Sequence, residues 1–174
     1  KLAAVVFNGN IWTSSNSGTT WTAETSVNAT KQWQGITSSA DGTKLAAVVS
    51  GGNIWTSSNS GANWTEDTSL GATKQWRAIT SSADGTKLAA TVGGHYHDFG
   101  NIWTSNNSGV TWTEVTTTGE IRGWRDITSS ADGTKLAAVI PGSRGNIWTS
   151  SNSGATWTEV TVGDGTNNWM GITS

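Results

Sequence analysis

The chain has 174 residues, a net charge of −2, no cysteine, one proline, 22 glycines and 12 tryptophans. That length suits one domain with a real core, and the absence of cysteine excludes disulfide scaffolds, thiolate zinc sites and cysteine nucleophiles. Ten basic against twelve acidic residues give no electrostatic footprint for nucleic acid, and no apolar run reaches the roughly 20 residues of a membrane span, so neither nucleic-acid binding nor membrane insertion is expected.

In chain order the pattern is a tandem repeat. Lys-Leu-Ala-Ala recurs at Lys1, Lys44, Lys87 and Lys135, which gives units of about 1–43, 44–86, 87–134 and 135–174 in a single domain. Residues 1–43 and 44–86 are identical at 33 of 43 positions. Tryptophans fall three to a unit: Trp12, Trp21, Trp33; Trp55, Trp64, Trp76; Trp103, Trp112, Trp124; Trp148, Trp157, Trp169. Each can bury on the order of 150–250 Å², so this is a folded chain.

One unit read through shows four short strands. Strand A, Trp76–Ser82, ends at Ala83-Asp84-Gly85, a type I′ hairpin signal. Strand B, Thr86–Val92, is mostly apolar, as a strand covered on both faces would be. Strand C, Asn101–Ser105, is closed by Asn107-Ser108-Gly109, and strand D, Thr111–Thr116, is rich in β-formers. Four antiparallel strands per unit of this length predict an all-β fold, a β-propeller of four four-stranded blades. The chain opens on Lys1 rather than methionine, as a processed form or a fragment would. It begins at a strand B and ends at Gly171-Ile172-Thr173-Ser174, a strand A, so the two ends are expected to pair and close the ring. The alternative is half of an eight-bladed ring shared by two chains, a homodimer.

The C–D turn carries a recurring box: Ser14-x-Asn16-x-Gly18-x-Thr20-Trp21, then Ser57, Asn59, Gly61 and Trp64, then Ser105, Asn107, Gly109, Thr111 and Trp112, then Ser150, Asn152, Gly154, Thr156 and Trp157. It resembles the Asp-box (BNR-type) repeat of sialidases, sortilin-type receptors and photosystem II assembly factors. It departs from that repeat in using Asn for the box Asp every time, and Asn63 replaces the Thr in the second copy. The resemblance implies a propeller fold and a structural role for the box, away from any active site. A side-chain oxygen taking backbone N–H groups, with glycine at positive φ, is reason enough for the pattern. Asp41, Asp84 and Asp132 in the Asp-Gly turns read the same way.

Where repeats are nearly identical, information about function lies in what differs. Differences collect in the B–C connections (Phe7-Asn8-Gly9, Ser50-Gly51-Gly52, 93–100 and 141–145) and in the D–A connections (26–32, 69–75, 118–123 and 163–168). In an up-and-down blade these share one face, which is the candidate functional face. Trp33, Trp76, Trp124 and Trp169 stand at the mouths of the A strands, followed by Gln34, Arg77, Arg125 and Met170. A mouth tryptophan beside arginine can stack on a sugar ring and hydrogen-bond its hydroxyls; the competing role is packing between blades. His95-Tyr96-His97-Asp98, with Arg122 and Arg144 in nearby loops, completes the candidate ligand-binding set. His95 and His97 point to one side of an extended segment, but no further histidine completes a metal site, so a polar or ligand-contacting loop is expected and no cofactor is called for.

Sialidase-like chemistry would need an arginine cluster, a tyrosine nucleophile, a glutamate and an acid/base aspartate. Arg77, Arg122, Arg125, Arg144, Tyr96, Glu120 and Asp98 or Asp126 supply the types, but none lies in a catalytic motif, and the resembled enzymes use larger rings. The expected function is therefore a non-catalytic, lectin-like binding module with a glycan or protein ligand; a protein-interaction or assembly subunit and a degenerate sialidase-like hydrolase are the alternatives. Asn28-Ala29-Thr30, Asn63-Trp64-Thr65 and Asn106-Asn107-Ser108 match the glycosylation pattern and lean towards an extracellular or secreted setting.

Overall fold

A strand that is apolar at every position sends alternate side chains to opposite faces and is stable only if both are covered. The computed structural model describes residues 1–27, 30–93, 99–142, 145–163 and 167–174, and it meets that demand by stacking antiparallel sheets side by side. Among the described residues every regular element is a strand.

The first repeat supplies β1 (Leu2–Val5), β2 (Phe7–Gly9), β3 (Ile11–Ser14) and β4 (Thr22–Ala23), of which β1, β3 and β4 form a three-stranded sheet. The next sheet runs β5 (Lys31–Ser38), β6 (Leu45–Gly52), β7 (Ile54–Ser57), β8 (Thr65–Asp67), each pairing antiparallel with its neighbour. A third runs β9 (Lys74–Ser81), β10 (Leu88–Gly93), β11 (Phe99–Ser105), β12 (Thr113–Val115). The last comprises β13 (Asp126–Ser129), β14 (Leu136–Val139), β15 (Ile147–Ser150) and β16 (Thr158–Val160). The four strands read from the third repeat are thus present as β9 to β12, in the order A, B, C, D.

Alternation along the second strands distributes the core. In β6, Ala46 and Val48 join the cluster with Trp76, Leu88 and Ala90, whereas Leu45, Ala47 and Val49 join the cluster with Ile11, Trp33 and Trp64 on the other face. One apolar strand therefore belongs to two cores, and each core lies between adjacent sheets. Fully burying a Leu, Val or Ile side chain contributes roughly 1.5–3 kcal/mol, so adjacent sheets hold one another in place.

Main-chain bonds tie the sheets at both ends. At one end the B–C connection of a sheet pairs with the start of the next sheet: Phe7 with Gln32, Ser50 with Gln75, Gly100 with Arg122. At the other, the Ala40 N–H donates to the Ala83 carbonyl and the Ala83 N–H to that of Ala131, both at 2.7 Å. The lysines opening the second and third repeats cross the same seam: Lys44 Nζ donates to the Asp84 carbonyl and to Ser108 Oγ, and Lys87 Nζ to the Asp132 carbonyl.

One expectation is corrected here. The A–B turns are not type I′, which needs positive φ at both central residues. In Ser82–Lys87 only Gly85 has one, at +68°; the Gly85 N–H returns to the Ser82 carbonyl and the Ser82 N–H to that of Lys87, a longer loop. It is held by Asp84, whose Oδ1 accepts from Thr86 N–H and Ser82 Oγ–H. The chain ends lie as follows in the sheets. β1 pairs with β3 alone, and 171–174 do not pair with it. The C-terminal residues instead lie along β13: Ile172 N–H donates to Asp126 Oδ2 at 2.9 Å and Ser174 Oγ to the Ser129 carbonyl at 2.7 Å. That is the place the first strand of a following sheet takes beside its predecessor, as β9 does beside β5.

Candidate functional site

The C–D box forms a closed hydrogen-bond ring that uses its Asn fully. In the third copy Ser105 Oγ accepts from Gly109 N–H at 2.9 Å and donates to Asn107 Oδ1 at 3.0 Å. The same Oδ1 takes the Thr111 N–H at 2.9 Å, and Asn107 Nδ2 donates to Thr111 Oγ1 at 2.8 Å. In the second copy Asn63 stands in for that threonine, and its N–H still donates to Asn59 Oδ1. Two consecutive residues adopt positive φ, for example Ser108 at 59° and Gly109 at 85°. The serine half of that pair has no sequence signal, since left-handed serine is uncommon.

The Asp-Gly turns are similarly occupied. Hydrogen bonds from Ser39 and Thr43 hold the Asp41 carboxyl down at about 2, those from Ser82 and Thr86 do the same for Asp84, and Asp132 is also lowered by Ser130 and Thr134. These carboxylates are fastened to their own turns.

At the opposite end, the mouth tryptophans split. Trp33, Trp76 and Trp124 are only 2%, 1% and 0% exposed. Each packs edge-on against the third-strand tryptophan of its own sheet, Trp55, Trp103 or Trp148, with ring centres 6.0–6.2 Å apart. Trp124 Nε1 also donates to the Gly100 carbonyl at 3.1 Å. Their rings are thus covered by protein, and the sugar-stacking role expected for these three does not fit; a ring worth this much buried area is held in the inter-sheet core. Trp169 makes the corresponding bond to the Gly145 carbonyl at 3.0 Å but stays part-exposed.

Of the residues after them, Gln34, Arg77 and Arg125 come together. Arg77 Nη1 donates to Gln34 Oε1 at 2.8 Å, linking the first strands of two sheets. Burial, and then the charge of Arg125, lowers the Arg77 pKa, with Asp126 opposing. Asp126 accepts from the N–H groups of Ile127 and Ile172, and Met170 is well exposed. Arg122 is drawn elsewhere, its guanidinium 4.6 Å over the Trp148 ring and its Nη2 towards the Thr118 carbonyl. His95, Tyr96, His97, Asp98 and Arg144 lie outside the described residues. Among the described residues no cluster of three or more His, Cys, Asp or Glu side chains forms a metal-binding group.

One constellation on this face was missed by the sequence reading. Phe99, Asn101 and Trp103 of β11 line one cleft, with Glu114 of β12 opposite Trp103. Lys74 Nζ lies 4.7 Å over the Trp103 ring, and Asn101 Nδ2 donates to Glu114 Oε1 at 3.0 Å. Together with Gln75, Gly100, Val92 and Ile121 they line a cleft of about 390 Å³. The available signal was repeat comparison: the Lys–Trp and Asn–Glu contacts recur in the second sheet as Lys31 with Trp55 and Asn53 with Glu66, but Gly51 and Thr73 stand there in place of Phe99 and Ile121.

With this geometry established, comparison with solved structures defines the class. The chain superposes on a GH74 xyloglucanase from Xanthomonas campestris with a TM-score of 0.69 at 14% identity, over 92% of this chain and 28% of that one. It is similar to YCF48 bound to D1 peptide, with a TM-score of 0.60 at 14% identity over 81% and 44% of the two chains. A chain of a nidogen/laminin complex gives 0.64 at 17% identity, over 89% and 59%. These neighbours define a β-propeller fold, and the chain spans less than two thirds of each. No family model and no curated protein matches the sequence.

Proposed function

We propose that this chain is a non-catalytic binding module, a lectin-like propeller that presents its ligand site on the face of the B–C and D–A connections, and that its C–D box is the Asn form of the Asp-box turn. One observation carries the reading: on a scaffold of near-identical repeats, exposed side chains particular to one copy gather on this face, among them Phe99 at 54% and Ile121 at 60% exposure. A rigid frame with variable, tied-down connections is how binding loops are usually held. The test is a glycan array probed with the purified chain. Selective retention of one saccharide class supports the reading, and no retention by any saccharide refutes it.

A second reading, a protein-interaction subunit, is favoured by the pair Arg77 and Arg125, close enough that the Arg125 charge adds to burial in lowering the Arg77 pKa, a pair that suits an acidic peptide segment. The neighbours include a protein bound to a peptide and a protein–protein complex. Loss of peptide binding in an Arg77→Ala, Arg125→Ala variant supports this second reading. We also propose that 169–174 supplies the inner strand of the first sheet, within one chain or from a second copy in a larger shared ring. Trp12, 37% exposed, would then meet Trp169 as Trp55 meets Trp33. Light scattering separates the two assemblies.

A further inference from the structure

We infer that the cleft on the third sheet is a single saccharide subsite, one per chain, that grips a neutral sugar between Phe99 and Ile121. This rests on the glycan-binding reading and makes it specific: one site where four equivalent shallow ones are the simpler expectation from the repeats.

Repetition itself supplies the internal control. The frame of the cleft, a lysine over a third-strand tryptophan beside an Asn–Glu hydrogen bond, is present in the second sheet too and has a sufficient structural role there. What the third sheet adds is a pair of exposed apolar walls. Phe99 lies two residues before Asn101, across an irregularity in the β10–β11 register, and the Gly100–Arg122 bridge sets Ile121 opposite Asn101, so that Phe99 and Ile121 both line the cleft. Neither is needed to cover a core: both remain more than half exposed, and Gly51 and Thr73 serve at the corresponding places. Two apolar residues that fill nothing, in one cleft with the polar groups of Lys74, Gln75, Asn101 and Glu114, form a place for a ligand.

The lining selects the ligand. Lys74 and Glu114 balance one charge with another, so the cleft offers nothing to a strongly anionic or cationic group. The amides of Asn101 and Gln75 and the Glu114 carboxylate provide donors and acceptors in the arrangement vicinal hydroxyls require. The Phe99 ring offers an apolar surface for the C–H face of a pyranose. An extended peptide is disfavoured because β11 is already paired on both sides, by β10 on one and by β12 over Ile102–Thr104 and the Gly100–Arg122 bridge on the other, which leaves little free edge for strand addition. At about 390 Å³ the cleft falls within the usual range of small-ligand sites.

The experiment uses the whole chain against immobilised neutral glucose-, mannose-, galactose- and xylose-based oligosaccharides, with sialylated and sulfated ones alongside. The best neutral probe is then titrated by calorimetry against the unaltered chain, a Phe99→Ala, Ile121→Thr variant, and Val110→Ala on the opposite face as control. Because all three positions are exposed, the variants should keep their far-UV circular dichroism and melting temperature. The expected result is one site per chain, binding weakened about tenfold or more in the double variant, and no change in the control. Neutral-sugar binding that survives in a folded double variant, or a stoichiometry of two or more, overturns the cleft while leaving the lectin reading in place. Retention of acidic glycans only also overturns the cleft. No retention of any glycan by the unaltered chain overturns both.

Discussion

Replacing Trp124 by alanine tests whether the mouth tryptophans are scaffold or ligand platform. Trp124 is fully buried, lies 6.0 Å from Trp148 and 6.4 Å from Trp157 between ring centres, and donates Nε1–H to the Gly100 carbonyl. Truncating a buried Trp costs about 3–5 kcal/mol. Here two aromatic contacts and a hydrogen bond are lost as well, which places the cost at the top of that range. Against a total stability of about 5–15 kcal/mol this is a large fraction. With a urea slope of about 2 kcal/mol/M the unfolding midpoint should fall by about 2.5 M. Trp169→Ala, removing a ring packed on one side and part-exposed, should lose less than half as much. The assay is equilibrium urea unfolding followed by far-UV circular dichroism, with glycan binding measured on the folded fraction. A Trp124→Ala chain whose midpoint moves by less than about 0.5 M while binding disappears would refute the scaffold assignment.

The box and the turns make two further predictions. Asn107→Asp should change stability by no more than about 0.5 kcal/mol, because Oδ1 keeps its acceptors' role and the Thr111 hydroxyl can reverse to donate; Asn107→Ala should cost about 1–2 kcal/mol by leaving the Thr111 N–H and the Ser105 hydroxyl without their partner. Urea midpoints compare the two, and equal losses in both variants would contradict the hydrogen-bond account of the box. Asp41 and Asp84 titrate in the folded chain at about 2, below the ordinary carboxylate value, so their contribution is present above pH 4 and disappears as pH falls from about 4 to about 2. Melting temperature should therefore drop across that window, and an Asp41→Asn, Asp84→Asn, Asp132→Asn chain should show a shallower drop. An identical profile would exclude the turns as the source.

Repetition made the strand order legible without coordinates. Lys-Leu-Ala-Ala spacing, strand alternation and the Ser-x-Asn-x-Gly box are local properties, and each predicts a local conformation whichever sheet lies beside it. The turn type was missed because Asp84 recruits Thr86 and Ser82 to itself, a competition between side chain and backbone that the dipeptide signal does not carry.

What the amino-acid order determined, then, was the unit: four short strands, an apolar second strand with two faces to bury, and tryptophans at fixed stations. Only the stacking of one unit on the next decided what those tryptophans do, because exposure is a property of the neighbouring sheet and not of the residue. Trp76 and Trp169 occupy the same station in their repeats, yet the first is 1% exposed between two sheets and the second remains part-exposed beside one. The same stacking brought Lys74, Asn101, Glu114, Phe99 and Ile121 to one cleft from four separate places in the chain. Sequence order placed Phe99 and Asn101 on one strand, but the tertiary pairing of Gly100 with Arg122 brought Ile121 opposite Asn101 and into the same cleft.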